Sequence, residues 1–268
     1  MPEQKLQENP DLMPLLYNSL SARNVAQLAG MLRRTGKERP EGYANAVGKK
    51  QPLRWSVLNQ GETRAAGYDP QRHIEFLMQF YTGEYPGSFA EGKSVDVGSG
   101  VPAVQGSVSE LCGVKKALRA GNTYELELAL KRELLLYKTA AAMNGSMAFT
   151  GRKQPSGLKE WQKAWLQEEF DKMKQVRRCS GLFGPDCPGS VLQTWNGGVL
   201  GFARGIHMLA LANFTDQPQT VGSGCMQPFI KYGSLRDLLQ GAVVQPDQPA
   251  VLGPYECFWL VPREVCSQ

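Results

Sequence analysis

The 268 residues include 42% hydrophobic and 21% charged residues, a composition typical of globular proteins that excludes collagen, coiled coils and disordered chains. Thirty Lys and Arg against 25 Asp and Glu give a formal charge of +5, and the basic residues are scattered, so charge does not indicate a nucleic-acid partner. The start of the chain lacks the basic and apolar segments of a signal peptide, and no apolar stretch approaches the roughly 20 residues that span a bilayer. We therefore expect a cytoplasmic protein without a membrane partner.

The six cysteines and two histidines show no spacing that is typical of a metal site. His73 and His207 lie far apart in the chain, and no CxxC pair is present. Cys179 and Cys187 flank a turn closely enough to pair if oxidised, but free thiols are expected in a reducing compartment. The sequence thus predicts no metal and no cofactor.

The first two thirds of the chain predict helices separated by one long loop. Apolar residues recur at spacings of three and four, which indicates one buried face of a helix. The predicted helices cover residues 12–34, 71–81, 107–118, 124–143 and 156–178. Ser107 is a candidate N-cap, residues 55–58 and 146–150 are predicted to be extended, and the glycine-rich stretch 84–106 is predicted to be a loop. Trp161 and Trp165 are four residues apart, so their rings could stack on a sugar, but an aromatic pair on such a helix face more often belongs to the hydrophobic core.

Beyond residue 184, short apolar runs alternate with turn residues, which predicts an all-β unit of about 75 to 80 residues. The segment VLGFARGIHMLALANF predicts a hairpin that turns near Arg204 and Gly205 and leaves His207 on the surface. Alternation along the strands predicts inward side chains at Phe202, Leu209, Leu211, Phe258 and Leu260. We expect two domains, a mostly helical partial (β/α) barrel over 1–185 and an antiparallel β-sandwich over 190–268.

Several segments resemble one enzyme family. The runs VLGFARGIHMLALANFTDQPQTV, LRDLLQG and LGPYECFWLVP resemble the C-terminal β domain of the α-amylase superfamily, and more narrowly of amylosucrases and amylosucrase-like glucosyltransferases. Upstream, LLYNSLSARNVAQLAGML, FLMQFYTGEYPGSFAEG, GSVSELCGV and LLLYKTAAAMNGSMAFTG resemble the segments that follow barrel strands six and seven and lead into strand eight. The resemblance covers nearly all of the chain. It implies the C-terminal half of such an enzyme, an α/β fold with a truncated (β/α) barrel from about strand 6 or 7 to helix 8, followed by the β-sandwich.

Amylosucrases transfer glucosyl units from sucrose to an α-glucan through a covalent intermediate, and this chemistry requires two neighbouring carboxylates. The family carries both after strands four and five, so the resemblance implies that this chain lacks them. A third carboxylate belongs to a His-Asp-Asp-Ile-Gly-Trp motif, which aligns with residues 50–55. Gln51 therefore occupies the position of the Asp that stabilises the transition state, and Lys50 replaces the His.

Other departures from the family concern charge. Glu84 and Glu91 stand where basic residues are expected, and Gly151, Arg152 and Lys153 replace a Gly-Asp-Glu. We expect no catalytic residue and no glycosyl transfer by this chain alone. Sucrose or an α-glucan is the candidate ligand, and the substrate-binding residues stay unassigned.

Three alternatives stay open: two are other functions, and the third is that the protein has no function. The segment SVDVGSGVPA resembles the first motif of S-adenosylmethionine-dependent methyltransferases, although Pro102 stands where a third glycine would help. The chain is alternatively a non-catalytic binding or assembly protein, because half a barrel leaves strand edges that a second copy or a partner chain would cover. A remnant without function is the third alternative.

Overall fold

The computed structural model describes residues 7–38, 42–48, 51–60, 68–98, 100, 102–149, 155–179, 181–184 and 187–263. The α-helices in these ranges are α1 (Leu12–Ala22), α2 (Ala26–Glu38), α3 (Pro70–Thr82), α4 (Val108–Leu111), α5 (Val114–Ala120), α6 (Thr123–Ala142) and α7 (Glu160–Cys179). The strands are β1 (Tyr43–Ala46), β2 (Leu53–Arg54), β3 (Lys93–Val95), β4 (Ala103–Gln105), β5 (Gly145–Ala148), β6 (Gly189–Leu192), β7 (Val199–Arg204), β8 (Met208–Asn213), β9 (Gln219–Val221), β10 (Leu235–Asp237), β11 (Val243–Val244), β12 (Ala250–Leu252) and β13 (Cys257–Pro262). Three 3₁₀ segments cover Trp55–Gln60, Gly181–Phe183 and Ser223–Tyr232.

Two of the predicted helices are interrupted. The helix expected over 12–34 becomes α1 and α2, because Arg23 adopts the left-handed conformation with φ of 52° and the Asn24 side chain accepts a hydrogen bond from the Ala26 amide. The helix expected over 107–118 becomes α4 and α5, separated at Gly113. The predicted cap at Ser107 is confirmed: its hydroxyl accepts from the Glu110 amide, and the Glu110 carboxylate accepts from the Ser107 amide.

The helices over 71–81 and 124–143 are confirmed as α3 and α6, and the last predicted helix is α7 with a later start. Residues 55–58, expected to be extended, belong to a 3₁₀ segment that follows the short strand β2. The predicted loop over 84–106 contains the hairpin of β3 and β4, which joins β2 in a three-stranded antiparallel sheet.

Strands β1 and β5 form a parallel pair, and Glu8 adds a parallel bridge to Ala44 on β1. Parallel strands require a crossover connection, and here the intervening chain contains α3 to α6. The described residues therefore contain parallel pairing of the (β/α) type without a closed barrel.

The C-terminal region contains a six-stranded antiparallel sheet in the order β11-β10-β13-β8-β7-β6, together with the antiparallel pair β9 and β12. Every residue of β7, β8 and β13 is buried, so the central strands of this sheet are covered on both faces. One face packs into the larger core with α6, and the other packs with β9, β12 and the 3₁₀ segment Ser223–Tyr232. The hairpin turn after Arg204 is confirmed, and His207 is exposed as predicted.

The five residues predicted to point inward are all buried, but they do not share one face. Leu209 and Leu211 lie in the cluster that includes β9 and β12, whereas Phe202 lies in the cluster with the helices. The register explains the difference, since Phe202 pairs with Ala210 and therefore shares its face of the sheet. The division into domains 1–185 and 190–268 stays a prediction, because the larger cluster contains residues from both.

No helix in the described part of the chain is long and apolar enough to cross a bilayer.

Candidate functional site

Most of the residues that the sequence analysis compared with the family motifs do not lie together in one site. Gln51 is exposed, while Lys50, Gly151, Arg152 and Lys153 lie outside the described residues. Trp55 is fully buried and stacks on Tyr81 with ring centroids 5.6 Å apart. Glu84 is exposed, and Glu91 forms an ion pair of 2.6 Å with Arg119.

The two tryptophans of α7 differ in their surroundings. Trp165 packs against the larger core, but the side chain of Trp161 is 65% exposed, so its prediction as a core residue is wrong. Trp161 lies in the first turn of α7, ahead of the part of the helix that packs on α6 through residues such as Phe170.

The glycine-rich segment 94–103 connects two antiparallel strands. Gly98 and Gly100 have φ of 73° and 66° in the hairpin between β3 and β4. A methyltransferase motif requires a strand that leads through the glycines into a helix. This arrangement gives no support to the methyltransferase alternative.

A large cavity, of about 670 Å³, lies between the helical region and loops of the C-terminal region. The elements around this junction cavity are α1, α3, the loop over 85–89, α5, the first half of α6, and the two residues Asp216 and Tyr255. Its volume falls within the range of roughly 300 to 1,000 Å³ that is usual for small-molecule sites. The aromatic residues of its wall are Phe76, Phe80, Tyr85, Phe89 and Tyr255.

The aromatic residues support one another through edge-to-face contacts. The rings of Phe76 and Tyr85 are 4.9 Å apart, and those of Phe80 and Phe89 are 5.0 Å apart. Tyr85 is 41% exposed and follows the left-handed Gly83 that ends α3. The wall therefore has fixed rings, of which Tyr85 is the most exposed and Phe89 is partly exposed.

A buried arginine lies beside this wall. Arg132 is on α6 and only 2% exposed, and its guanidinium carbon lies 3.9 Å from the ring centroid of Phe89 and 5.2 Å from that of Tyr255. One of its nitrogens, Nη2, donates to Glu125 Oε2 at 3.1 Å. The two rings orient the plane of the guanidinium inside the wall.

A further ion pair connects the helical region to the C-terminal region across the cavity. Arg23, at the end of α1, contacts Asp216 of the β8–β9 loop at 2.7 Å. Tyr255 lies near all of these charges, and burial raises its pKa to about 12, with smaller opposing effects from Arg132 and Arg23. Tyr255 also adopts a positive φ of 55°, which is uncommon for a residue with a side chain and places it next to Arg132.

The two carboxylates of the cavity wall, Glu125 and Asp216, each accept a hydrogen bond from an arginine. A nucleophile or an acid catalyst for glycosyl transfer must instead reach the sugar. Among the described residues no group of His, Cys, Asp and Glu is arranged to hold a metal ion. Burial raises the pKa of the Cys257 thiol to about 12 and that of Cys225 to about 11, so neither is a ready nucleophile.

A smaller cavity of about 350 Å³ lies between α6, α7 and the start of β13. Its polar feature is an ion pair of 2.6 Å between Lys138 and Glu169, whose side chains are 6% and 7% exposed. This pair joins α6 to α7 beneath the six-stranded sheet.

The residues of the junction cavity were not predicted from the sequence, although the sequence of α6 indicated that Arg132 is unusual. Arg132 belongs to a helix in which nearly every residue after Leu126 is apolar or buried, and a charged residue in such a helix needs a partner or a function. Tyr255 and Asp216 had no comparable signal, because they come from turns distant in sequence.

No family model matches the chain. The chain is similar to the crystal structure of AmyP in complex with maltose, with 13% identity and a TM-score of 0.38 over 50% of this chain and 35% of that chain. It is also similar to Ttha1563 from Thermus thermophilus, with 16% identity and a TM-score of 0.43 over 95% of this chain and 48% of that chain. The chain therefore spans about a third and about half of the lengths of these two proteins.

Proposed function

We propose that these residues form a carbohydrate-binding protein of amylosucrase-like type that does not by itself transfer or hydrolyse glycosyl units. The observation that carries the proposal is the junction cavity, in which aromatic rings line the wall and both carboxylates are paired with arginines. The ligand we propose is sucrose or a short α-glucan, in line with the sequence resemblance to amylosucrases.

The aromatic wall supports a sugar ligand. The faces of pyranose rings are apolar and pack on aromatic rings, while their hydroxyl groups need hydrogen-bond partners at the rim. The cavity offers Tyr85 and Phe89 for the first purpose and Ser21 and Asn122 for the second.

The absence of catalysis is supported by two observations on the described residues. Gln51, at the position of the family's transition-state Asp, is exposed and carries a neutral amide. Glu125 and Asp216 are the acidic residues of the cavity wall, and each is held by a guanidinium. A retaining mechanism needs one carboxylate free to attack and another free to donate a proton.

Binding is tested by calorimetric titration of the protein with sucrose and maltose. The informative variant is Tyr85→Ala, with Tyr124→Ala as the control, because Tyr124 is also exposed but lies outside the cavity wall. We expect Tyr85→Ala to raise the Kd for the sugar by about 3- to 10-fold, because an aromatic contact is lost. Tyr124→Ala should leave the Kd unchanged. Equal effects of both variants, or no binding at all, would refute a sugar site in this cavity.

Catalysis is tested by incubation with sucrose and measurement of released fructose. We expect no fructose above the background. Turnover that is abolished by Glu125→Gln or Asp216→Asn would overturn the proposal of a non-catalytic protein.

Assembly is a second candidate function, and one observation favours it. Within the described ranges β5 pairs only with β1, so one edge of this parallel pair has no neighbouring strand. Uncovered strand edges favour pairing with another chain. Sedimentation of the purified protein distinguishes a dimer or complex, which supports this function, from a monomer, which opposes it.

A further inference from the structure

The junction cavity has an excess of positive charge. Its wall contains the cations Arg23, Lys116 and Arg132 and the carboxylates Glu125 and Asp216. The carboxylate of Asp216 is used by Arg23 across the junction, at 2.7 Å. The other carboxylate of the wall, that of Glu125, is 43% exposed and pairs with Arg132, whereas Lys116 donates to a backbone oxygen, so the wall carries one cation more than it has carboxylates.

Arg132 is incompletely paired for a buried cation. Only Nη2 donates to a described acceptor, and Nε is buried without a partner. A guanidinium carries several N–H donors, and a buried charge is costly unless those donors and the charge are both satisfied. The flanking rings of Phe89 and Tyr255 supply dispersion and π contact, but they accept no strong hydrogen bond.

Lys116 lies on the same wall. It is half-buried on α5, and its Nζ donates at 2.6 Å to the carbonyl oxygen of Ser88, in the loop that also carries Tyr85 and Phe89. An ammonium has further donors for a ligand after this bond is made. The two cations thus belong to the same stretch of wall as the aromatic rings.

We infer that the junction cavity prefers, over neutral sugars such as sucrose, a sugar that carries an oxyanion, either a phosphate monoester or a carboxylate, and that Arg132 and Lys116 bind this group. The inference rests on the proposed function, since it places a charged group on the ligand of the same site. Oxyanions match a guanidinium fork and an ammonium, and their charge balances the excess on the wall. The aromatic residues Tyr85 and Phe89 then face the sugar ring, and the size of the cavity suits one or two rings rather than a polymer.

The experiment is a set of calorimetric titrations of the full chain at low and at moderate salt. The probes are glucose, glucose 6-phosphate, glucuronate and inorganic phosphate. We expect glucose 6-phosphate or glucuronate to bind at least about tenfold more tightly than glucose, since hydrogen bonds to charged groups are worth that much. The preferred anion distinguishes a phosphate site from a carboxylate site, and the gain should shrink at higher salt.

The variant that isolates the anion is Lys116→Met, and its matched control is Lys115→Met. Lys115 is the neighbouring lysine, but it pairs with Glu110 and lies outside the cavity wall. We expect Lys116→Met to remove most of the preference for the anionic sugar while glucose binding is kept, and Lys115→Met to change neither. Arg132→Met should act in the same direction, and Lys116→Met keeps the test valid if Arg132→Met fails to fold.

The outcomes separate the two proposals. Equal binding of glucose and both anionic sugars, unchanged by Lys116→Met, would overturn the anion inference and leave the sugar site in place. Binding of inorganic phosphate that is lost in Lys116→Met, without any binding of sugars, would support the anion and refute the sugar. No binding of any of these four probes would overturn the anion inference, and no binding of sucrose or maltose in the titrations described above would refute the sugar site.

Discussion

The buried ion pair between Lys138 and Glu169 should show a large and asymmetric effect on stability. Its two side chains are 6% and 7% exposed, and Lys138 Nζ lies 2.6 Å from Glu169 Oε2, so each charge compensates the other in a site that excludes water. When one partner of a buried pair is removed, the remaining charge is left unpaired, at a cost of about 3–5 kcal/mol. Glu169→Leu leaves Lys138 buried without its ion partner, although the buried carboxylate of Asp237 still interacts with it electrostatically, and we expect a cost in this range.

Lys138→Met should cost less. Glu169 keeps a second lysine, Lys172, whose Nζ lies 3.5 Å from its other carboxylate oxygen and which is 39% exposed. The carboxylate thus retains a partially solvated counter-charge, and we expect a loss of about 1–3 kcal/mol. The free energy of unfolding of the double variant Lys138→Met and Glu169→Leu should lie within about 1 kcal/mol of that of the parent protein, because both charges of this pair are removed together.

The assay is urea unfolding of the parent protein, these three variants and one control variant, with thermal melts as a second measurement. At about 2–4 °C per kcal/mol for a chain of this size, Glu169→Leu should lower the Tm by roughly 6–20 °C. Lys131→Met is the control, because Lys131 pairs on the surface of the same helix with Glu127, and such pairs contribute about 1 kcal/mol or less. A Glu169→Leu variant as stable as Lys131→Met, or a double variant as unstable as Glu169→Leu, would refute the reasoning.

Four further results are expected. Gly145→Ala should cost at least about 2 kcal/mol in urea unfolding, because φ is 88° and the new Cβ would lie 2.0 Å from a backbone oxygen of β1; Gly121→Ala, at φ of 64° in open space, should cost less. Leu211→Asp should destabilise by several kcal/mol, and by more than Leu211→Ala, since the site is fully buried; equal losses would show that charge burial is not the cause. Burial lowers the pKa of His73 below its ordinary 6.5, so its contribution is complete above pH 6.5 and is lost as the pH falls below it; His73→Gln should flatten the decline in unfolding free energy between pH 7 and pH 5, and an unchanged slope would contradict this. Limited proteolysis should cut first within 179–189 and leave a resistant C-terminal fragment that stays packed on the helical region through the shared core, whereas rapid digestion throughout would contradict two domains.

The sequence predicted the local elements better than their packing. The periodicity in α3 and α6 and the hairpin of β7 and β8 follow from patterns within a dozen or so residues, and these elements are present. The break at Arg23 was not predictable from apolar spacing, since it depends on the left-handed conformation of Arg23 and on the hydrogen bond from the Ala26 amide to the Asn24 side chain.

The sequence does indicate that the central strands of the six-stranded sheet are buried on both faces, but the prediction from alternating residues did not use this pattern. The runs VLGFAR, MLALAN and CFWLVP are apolar at almost every position, which is typical of strands covered on both sides. Alternation instead placed Phe202 with Leu211, although Phe202 faces the helices. The direction of a side chain in such a strand depends on register, and register is set by the hairpin turn at Gly205.

The junction cavity could not be predicted because its parts meet only through tertiary packing. Arg23 and Arg132 come from the helical region, whereas Asp216 and Tyr255 come from turns between strands. The ion pair of Arg23 with Asp216 and the contact of Arg132 with Tyr255 both cross from one region to the other. A ligand bound there would contact both regions at once, so its binding energy would add to the stability of their packing as well as to that of each region alone. The proposed sugar site and the shared core are therefore coupled: a change that separates the C-terminal sheet from α6 removes the cavity even when every residue of its wall is retained.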